Sequence, residues 1–202
     1  MMKRPYRTLA LALSALILTF AFAAPVPACV GKTLVIGYTG TSQQEVLSQI
    51  VAILITERTG TTVKTVRYET ASGMHEALLK AELDIAVQYT GVALVEVLKK
   101  GAIADPVAAY RAVKDGYNQD LNLVWLSPFG FDDARLAPAG TVAQAAPVVR
   151  KDTLKKYPAL SRLLDKLGGT IDAARMRELE AQAGRKPPRD VAREFLKGSK
   201  FI

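Results

Sequence analysis

Apolar residues recur along the chain with two alternating periods, one typical of buried strands and one typical of amphipathic helices. An apolar segment over residues 32–37 ends in a turn that contains glycine and threonine, which predicts a first strand. Ser42 and Glu45 then have the spacing of a capping box, and Gly60 is a typical helix end. Between them, the apolar positions follow a helical period: Val46, Leu47, Ile50, Val51 and Leu54.

The same strand-then-helix order continues through the middle of the chain. Further strands are predicted over residues 62–68, 83–89, 121–126 and 147–150. Ser72, Gly91 and Asp105-Pro106 are the predicted helix starts between them. The last part reads as helical, over residues 152–157, 158–167, 171–183 and 188–197. The pattern predicts an α/β fold with a mostly parallel sheet flanked by helices and a helical C-terminal part.

The most informative strand is the third, which runs from Leu83 to Gly91 and ends in a polar tip. Ligands of open α/β sheets lie beyond the carboxyl ends of the strands, so Gln88, Tyr89 and Thr90 are expected at the mouth of a site. A tyrosine there offers a π-face to a cation and a hydroxyl to a polar group. The alternative is a strand-end tyrosine that only covers the core.

A second turn of this kind follows the first strand, over residues 38–44. Tyr38, Thr39 and Gln44 in this turn should open on the same sheet edge as Tyr89 and Thr90. Together the two turns offer hydroxyls, amides and helix N-terminal N–H groups, a combination suited to binding a small molecule. The alternative for Tyr38 is an exposed turn residue.

The first 28 residues have the organisation of a secretory signal peptide. Lys3, Arg4 and Arg7 precede an uncharged apolar run over residues 9–23, and cleavage is expected after Ala23 or Ala28. A membrane anchor is the alternative, although the run is short for a span. Export to the periplasm or cell envelope is therefore expected, and residues 30–202 should form a single domain.

The charge and the cysteine content limit which partners and which covalent links are expected. Removal of the three basic leader residues lowers the formal net charge from +8 to +5, and the remaining basic residues are interspersed with acidic ones, so no nucleic-acid partner is expected. Cys29 is the sole cysteine, which excludes an intramolecular disulfide. Its position after Ala28 would suit a lipid anchor, but Pro27 fits that pattern poorly.

The residue inventory argues against an enzyme. His75 is the sole histidine, so a Ser-His mechanism would have to use it, and Ser72 is better explained as a helix cap with His75 on the surface. One histidine and one cysteine cannot supply a zinc site. Asp132 and Asp133 are adjacent acids in a loop, which are usually solvated. No cofactor or metal is expected.

Five segments resemble the substrate-binding proteins of ABC importers for glycine betaine, choline and related osmoprotectants. In order, they are LVIGYTGTSQQEVLSQI, ALLKAELDIAVQYTG, VWLSPFGF, APVVRKDTLKKYPAL and DVAREFL. The resemblance implies a periplasmic-binding-protein fold whose two lobes close on a quaternary ammonium in an aromatic cage, and an ABC permease as partner. By position, Tyr89 matches a cage tyrosine and Gln44 the polar residue of the first turn.

Two departures from the family pattern change what is expected. Residues 131–146 stand where the family inserts its second lobe but are too few to form one, so they are predicted to be a linker in a one-lobed protein. Arg135 stands where the family carries a further cage tyrosine, and its guanidinium would repel an ammonium ligand.

These observations leave three hypotheses. The first is a solute-binding component of an ABC import system, with weak or altered binding of a quaternary ammonium. The second is an exported interaction module whose former ligand face contacts another chain, for example a second copy in a homodimer. The third, a hydrolase, requires that His75 be buried beside a nucleophile.

Overall fold

The computed structural model describes residues 33–202, which lie within one compact unit. The predicted signal peptide, both cleavage sites and Cys29 lie outside the described residues. Within residues 33–202, no helix combines the length and the apolar character that a bilayer span requires.

The described residues form one five-stranded sheet. Its strands are β1 (Leu34–Thr39), β2 (Val63–Tyr68), β3 (Ile85–Tyr89), β4 (Leu123–Trp125) and β5 (Ala145–Arg150), in the spatial order β2-β1-β3-β5-β4. β1 pairs in parallel with β2 and β3, while β5 is antiparallel to both β3 and β4. Four strands therefore point the same way, and the prediction of a mostly parallel sheet is confirmed.

Helices lie between and after the strands, close to the predicted positions. They are α1 (Ser42–Thr59), α2 (Ala71–Leu79), α3 (Thr90–Val92, continued by a π-helical turn over Ala93–Val97), α4 (Pro106–Asp120), α5 (Lys151–Lys156), α6 (Ala159–Asp165), α7 (Ala173–Ala183) and α8 (Pro188–Gly198). Gly60 ends α1 in the left-handed conformation, as the sequence predicts, and Asp105 caps α4 by accepting a hydrogen bond from the N–H of Ala108.

Two helix caps differ from the prediction by one or two residues. α1 is capped by Thr41 rather than Ser42, and α2 by Thr70 rather than Ser72. The Thr70 hydroxyl accepts a hydrogen bond from the N–H of Gly73 at 3.0 Å. Threonine and serine are both good N-cap residues, and at each start a threonine precedes the predicted serine. The earlier residue is still extended and takes the cap, and this leaves the Ser72 side chain exposed inside α2.

The sheet is buried on both faces, as the apolar run of β3 predicts. Ile85, Val87 and Tyr89 belong to a core cluster with α1, α6, α7 and α8, whereas Ala86 belongs to a second cluster with α2, α3 and α4. Successive strand residues face opposite sides of a sheet. The end of β3 therefore directs Gln88 toward one helical layer and Tyr89 toward the other.

The segment predicted as a linker is a closed loop. Asp132 and Gln144 form an antiparallel bridge at its base, and the N–H of Asp133 donates to the carbonyl of Ala143 at 3.1 Å. Phe131 and Ala143 are buried beside this bridge. The loop therefore connects β4 to β5 as a packed part of the domain.

Gly91 is required by the close approach of this loop to α3. A Cβ atom at Gly91 would lie 2.5 Å from the carbonyl oxygen of Val142 and would also overlap the hydroxyl of Thr141. Because the backbone of Val142 cannot move without disturbing the bridge, we expect Gly91→Ala to lower the free energy of unfolding by about 1–3 kcal/mol. Urea unfolding measures the change. Gly101→Ala is the matched control, since no heavy atom lies within 4 Å of its added Cβ, and equal effects of the two substitutions would contradict this packing.

Candidate functional site

A cavity of about 620 Å³ opens at the carboxyl ends of β1 and β3, the sheet edge that the sequence predicts for a ligand. Its size lies within the range of small-molecule sites. The two turns predicted to meet there do so, because β1 and β3 are neighbouring parallel strands. Its lining comes from the ends of β1 and β3, from the helices that follow β1, β2 and β3, and from Leu121 and Leu136. The polar and charged residues among the lining are Thr39, Thr41, Gln44, Ser72, His75, Glu76, Gln88, Tyr89, Glu96 and Lys99.

Tyr89 lines this cavity but is only 5% exposed. Its hydroxyl donates to Oε1 of Gln43 at 2.5 Å, and Nε2 of Gln43 donates to Asp133 at 2.8 Å. Burial raises the pKa of Tyr89, and the nearby carboxylate of Asp133 raises it further. Tyr89 is therefore a neutral core residue with its hydroxyl already bonded, and only a small part of the residue is exposed.

Gln44 and Thr39 are the other predicted site residues that line the cavity. Oε1 of Gln44 accepts from the backbone N–H of Thr39 at 2.7 Å and from its hydroxyl at 2.8 Å. These bonds hold the turn from β1 into α1 in a fixed shape. The carbonyl oxygen of Gln44 is thus engaged by the turn, and the same side chain also forms a hydrogen bond with Tyr89.

Thr90 and Tyr38 are not among the residues that line the cavity. The Thr90 hydroxyl donates to the carbonyl of Val142 and accepts from the N–H of Gln144, both at 3.1 Å. It connects the end of β3 to the loop. Tyr38 is half-buried on β1, and burial and the carboxylate of Glu45 raise its pKa.

Arg135 also lies outside the cavity, on the other side of the loop. Its guanidinium donates to both carboxylate oxygens of Asp133, at 2.6–3.2 Å, and pairs with Glu180 of α7 at 3.3 Å. These hydrogen bonds hold the pKa of Asp133 at about 2. The positive charge of Arg135 therefore faces two carboxylates, and its side chain does not line the cavity.

His75 is buried, at 8% exposure, and not on the surface as the sequence analysis expected. α2 begins at the end of β2 and lies over the cavity, which turns His75 inward. Nδ1 of His75 lies 3.2 Å from Nε2 of Gln88, and Oε1 of Gln88 accepts from the Tyr117 hydroxyl at 2.9 Å. The imidazole also packs edge-on against Tyr117, with 5.5 Å between ring centroids. His75 thus belongs to a side-chain network with an amide and a phenol.

The rim of the cavity carries charge of both signs. Glu76 of α2 and Glu96 of α3 are exposed there, and Lys99 follows the π-helical turn. That turn widens the end of α3, with the N–H of Leu98 bonded to the carbonyl of Ala93. π-Helical turns often occur at functional sites. Glu76 also pairs with Lys80 at 3.5 Å. The rim therefore offers carboxylates to a cationic ligand, and lysines lie close to them.

The sequence was compared with models of known families. The model described as the substrate binding domain of ABC-type glycine betaine transport systems matches residues 32–137 and 132–198. The chain belongs to this family. The two matched segments meet within the loop between β4 and β5, where the sequence analysis expected the second lobe of family members to be inserted.

Two relatives of this chain are named for the solutes that they transport. The carnitine transport binding protein OpuCC of Listeria monocytogenes is 34% identical over 127 residues, which is 62% of this chain and 38% of that protein. The ergothioneine transport permease/ergothioneine binding protein EgtU of Helicobacter pylori is 28% identical over 134 residues, 65% of this chain and 24% of that one. The chain thus matches less than half the length of these relatives.

Solved structures support the same fold. A glycine betaine/carnitine/choline ABC transporter structure superposes with a TM-score of 0.77 at 18% identity, over 84% of this chain and 98% of that one. The apo YehZ structure from Escherichia coli gives a TM-score of 0.75 at 15% identity, over 85% and 100%. At these identities the likeness establishes the periplasmic-binding-protein-like fold.

Sequence reasoning placed Tyr89, Gln44 and Thr39 at the cavity but missed the contribution of α2. A signal for it was available: β2 is parallel to β1, so the helix that follows β2 must start at the same sheet edge. Applied to Ser72, His75 and Glu76, that rule would have added one turn of α2 to the site.

Proposed function

We propose that this chain is the solute-binding component of an ABC import system for quaternary-ammonium osmoprotectants such as glycine betaine and choline, and that the ligand binds in the cavity at the ends of β1 and β3. The observation that carries the proposal is that two aromatic residues, Tyr89 and His75, line one cavity together with Glu76 and Glu96. A permanent cation is attracted both by carboxylates and by the π-faces of aromatic rings.

Membership of the glycine betaine family supports the same ligand class, and the names of the relatives extend it to carnitine. We further propose export to the periplasm through the predicted signal peptide, and an ABC permease as the partner that receives the solute. On this view the protein is a carrier and not an enzyme, because the buried His75 is hydrogen-bonded to the amide of Gln88 and not to a nucleophile.

We propose that binding is weak, because residues 131–146 form a loop where relatives would insert a second lobe. A cation against a partly solvated ring gains about 0.5–1 kcal/mol, against about 2 kcal/mol or more when desolvated. One lobe leaves the far side of the ligand in water. The binding free energy expected from these contacts falls well short of the roughly 8 kcal/mol of a micromolar complex.

Titration of choline and glycine betaine into the purified protein tests the proposal. We expect a dissociation constant of about a millimolar or weaker, a loss of binding in Tyr89→Leu, which removes the ring but retains apolar bulk, and retention of binding in Tyr89→Phe. Tyr68→Leu is the matched control, because Tyr68 ends β2 as Tyr89 ends β3 but does not line the cavity. Micromolar binding that Tyr89→Leu leaves unchanged would contradict the proposed site.

A second candidate function, an interaction module, is favoured by one observation. Leu79 lines the cavity and is 45% exposed, which is unusual for a large apolar side chain. A partner chain could cover it, and a homodimer through this face is the simplest case. Sedimentation equilibrium of the wild type and of Leu79→Lys distinguishes the two candidate functions. A dimer that the substitution dissociates supports the interaction module, and a monomer that binds choline supports the solute-binding component.

A further inference from the structure

The neutral form of His75 is fixed by its neighbours. Oε1 of Gln88 accepts the hydrogen bond of the Tyr117 hydroxyl, so the amide presents its NH₂ group to Nδ1 of His75. Nδ1 must then be the acceptor, because an N–H at this atom would face another donor. The proton of the neutral ring therefore resides on Nε2.

Protonation of His75 disrupts this arrangement. The imidazolium carries N–H groups at both nitrogens, so the Gln88 amide would have to rotate and present Oε1 to Nδ1. That rotation removes the acceptor of the Tyr117 hydroxyl, and Tyr117 is fully buried. A buried hydroxyl proton without an acceptor is unfavourable, so the network resists the charged ring.

The charged and titratable groups around His75 come from several elements. Glu76 is on the same helix as His75, Glu96 lies in the π-helical turn that continues α3, and Lys99 follows that turn. Tyr89 is on β3 and Tyr117 is on α4. The turn from β1 into α1 contributes only uncharged residues to the cavity, which are Thr39, Thr41 and Gln44. Burial lowers the pKa of His75 from the ordinary value of an imidazole, and the Glu76 carboxylate offsets part of that effect. Burial and the hydrogen-bond network thus both favour the uncharged ring.

We propose that His75 is a specificity-determining residue of the cavity, held uncharged by Gln88 and Tyr117 so that a permanent cation is accepted, and that protonation of His75 and binding of the cation exclude one another. The inference rests on the proposed function and deepens it. An imidazolium would place a positive charge in the wall of the cavity that the ligand enters. A lower pH therefore weakens binding of the cation, and a bound cation disfavours protonation of His75.

The first experiment measures choline affinity between pH 5 and pH 8. Choline carries a permanent charge and no group that titrates in this range, so the protein supplies any pH dependence. We expect the dissociation constant to be constant at high pH and to rise by up to tenfold per pH unit below the pKa of His75 in the free protein. His75→Asn should remove this rise, because the side-chain oxygen of asparagine can replace Nδ1 as acceptor for Gln88 but does not titrate.

The second experiment uses the sole histidine of the chain as an NMR probe. Its ring ¹³C and ¹⁵N resonances should report an Nε2–H tautomer in the free protein and a pKa below that of a free imidazole. Saturating choline should lower this pKa further, by the same linkage that weakens binding in acid. Glu96→Gln is the control for carboxylate effects: it should weaken binding at every pH and preserve the slope due to His75.

The outcomes separate the two proposals. If choline binds with the same affinity from pH 5 to pH 8 and leaves the titration of His75 unchanged, the role of His75 is wrong and the proposed function stands. An Nδ1–H tautomer would likewise overturn the role of His75. If neither the wild type nor His75→Asn binds choline at pH 8, the proposed function fails and this inference fails with it.

Discussion

Tyr89→Ala will lower the free energy of unfolding by about 3–5 kcal/mol, the usual loss for a buried aromatic residue truncated to alanine. The ring is 5% exposed and packs in the cluster that α1, α6, α7 and α8 form against the sheet. Truncation would leave a void in that cluster and would remove the donor that satisfies Gln43. Denaturation in urea, monitored by circular dichroism, measures the change.

Tyr89→Phe is the matched control for this loss. It retains the ring and removes only the hydroxyl that donates to Gln43, so we expect a loss of about 1 kcal/mol. A Tyr89→Ala protein as stable as the wild type would contradict the packing described above, because it would mean that the ring is exposed. The expected loss is also the reason that binding is tested with Tyr89→Leu.

The second large effect is expected at Asp133. Its carboxylate accepts from Gln43 and Arg135 and is 7% exposed, so Asp133→Ala should lower the free energy of unfolding by about 3 kcal/mol, since two donors lose a charged acceptor. The same change also removes the acceptor that holds the Gln43 amide in place, and this amide is the acceptor of the Tyr89 hydroxyl. Asp115→Ala, at an exposed position on α4, should change stability by no more than about 0.5 kcal/mol.

The pH dependence of stability gives an independent test of Asp133. Its pKa is about 2 in the folded protein, below the ordinary value of 3.8, so its ionised form stabilises the fold above about pH 4, and this contribution is lost as the pH falls to 2. The shift corresponds to about 2 kcal/mol. The stability difference between the wild type and Asp133→Asn should therefore shrink by about this amount between pH 5 and pH 2. A difference that stays constant over this range would show that Arg135 does not stabilise the carboxylate.

The strands and several helix ends could be predicted from the sequence because the patterns that mark them are local. The continuous apolar run of β3, the Asp105-Pro106 start of α4 and the Gly60 end of α1 each depend on residues within one turn or one strand. The direction of β5 and the packing of the loop before it could not be predicted in this way. They depend on the bridge between Asp132 and Gln144, which joins residues on opposite sides of the loop.

Part of the candidate site could also be predicted from the sequence. Parallel strands bring their carboxyl ends to one edge, which placed Tyr89, Gln44 and Thr39 together. The burial of Tyr89 depends on Gln43, 46 residues earlier in the chain, and no local pattern indicates that contact. His75 is a similar case, since its burial requires both Gln88 of β3 and Tyr117 of α4.

A map of choline-induced NMR shifts on isotope-labelled protein tests most directly whether the ligand binds in the cavity at the ends of β1 and β3. We predict that the largest shifts fall on Thr39, Gln44, His75 and Glu96, and that Tyr89→Leu abolishes them. Shifts centred instead on Arg135 and α7, or shifts that persist unchanged in Tyr89→Leu, would contradict the account.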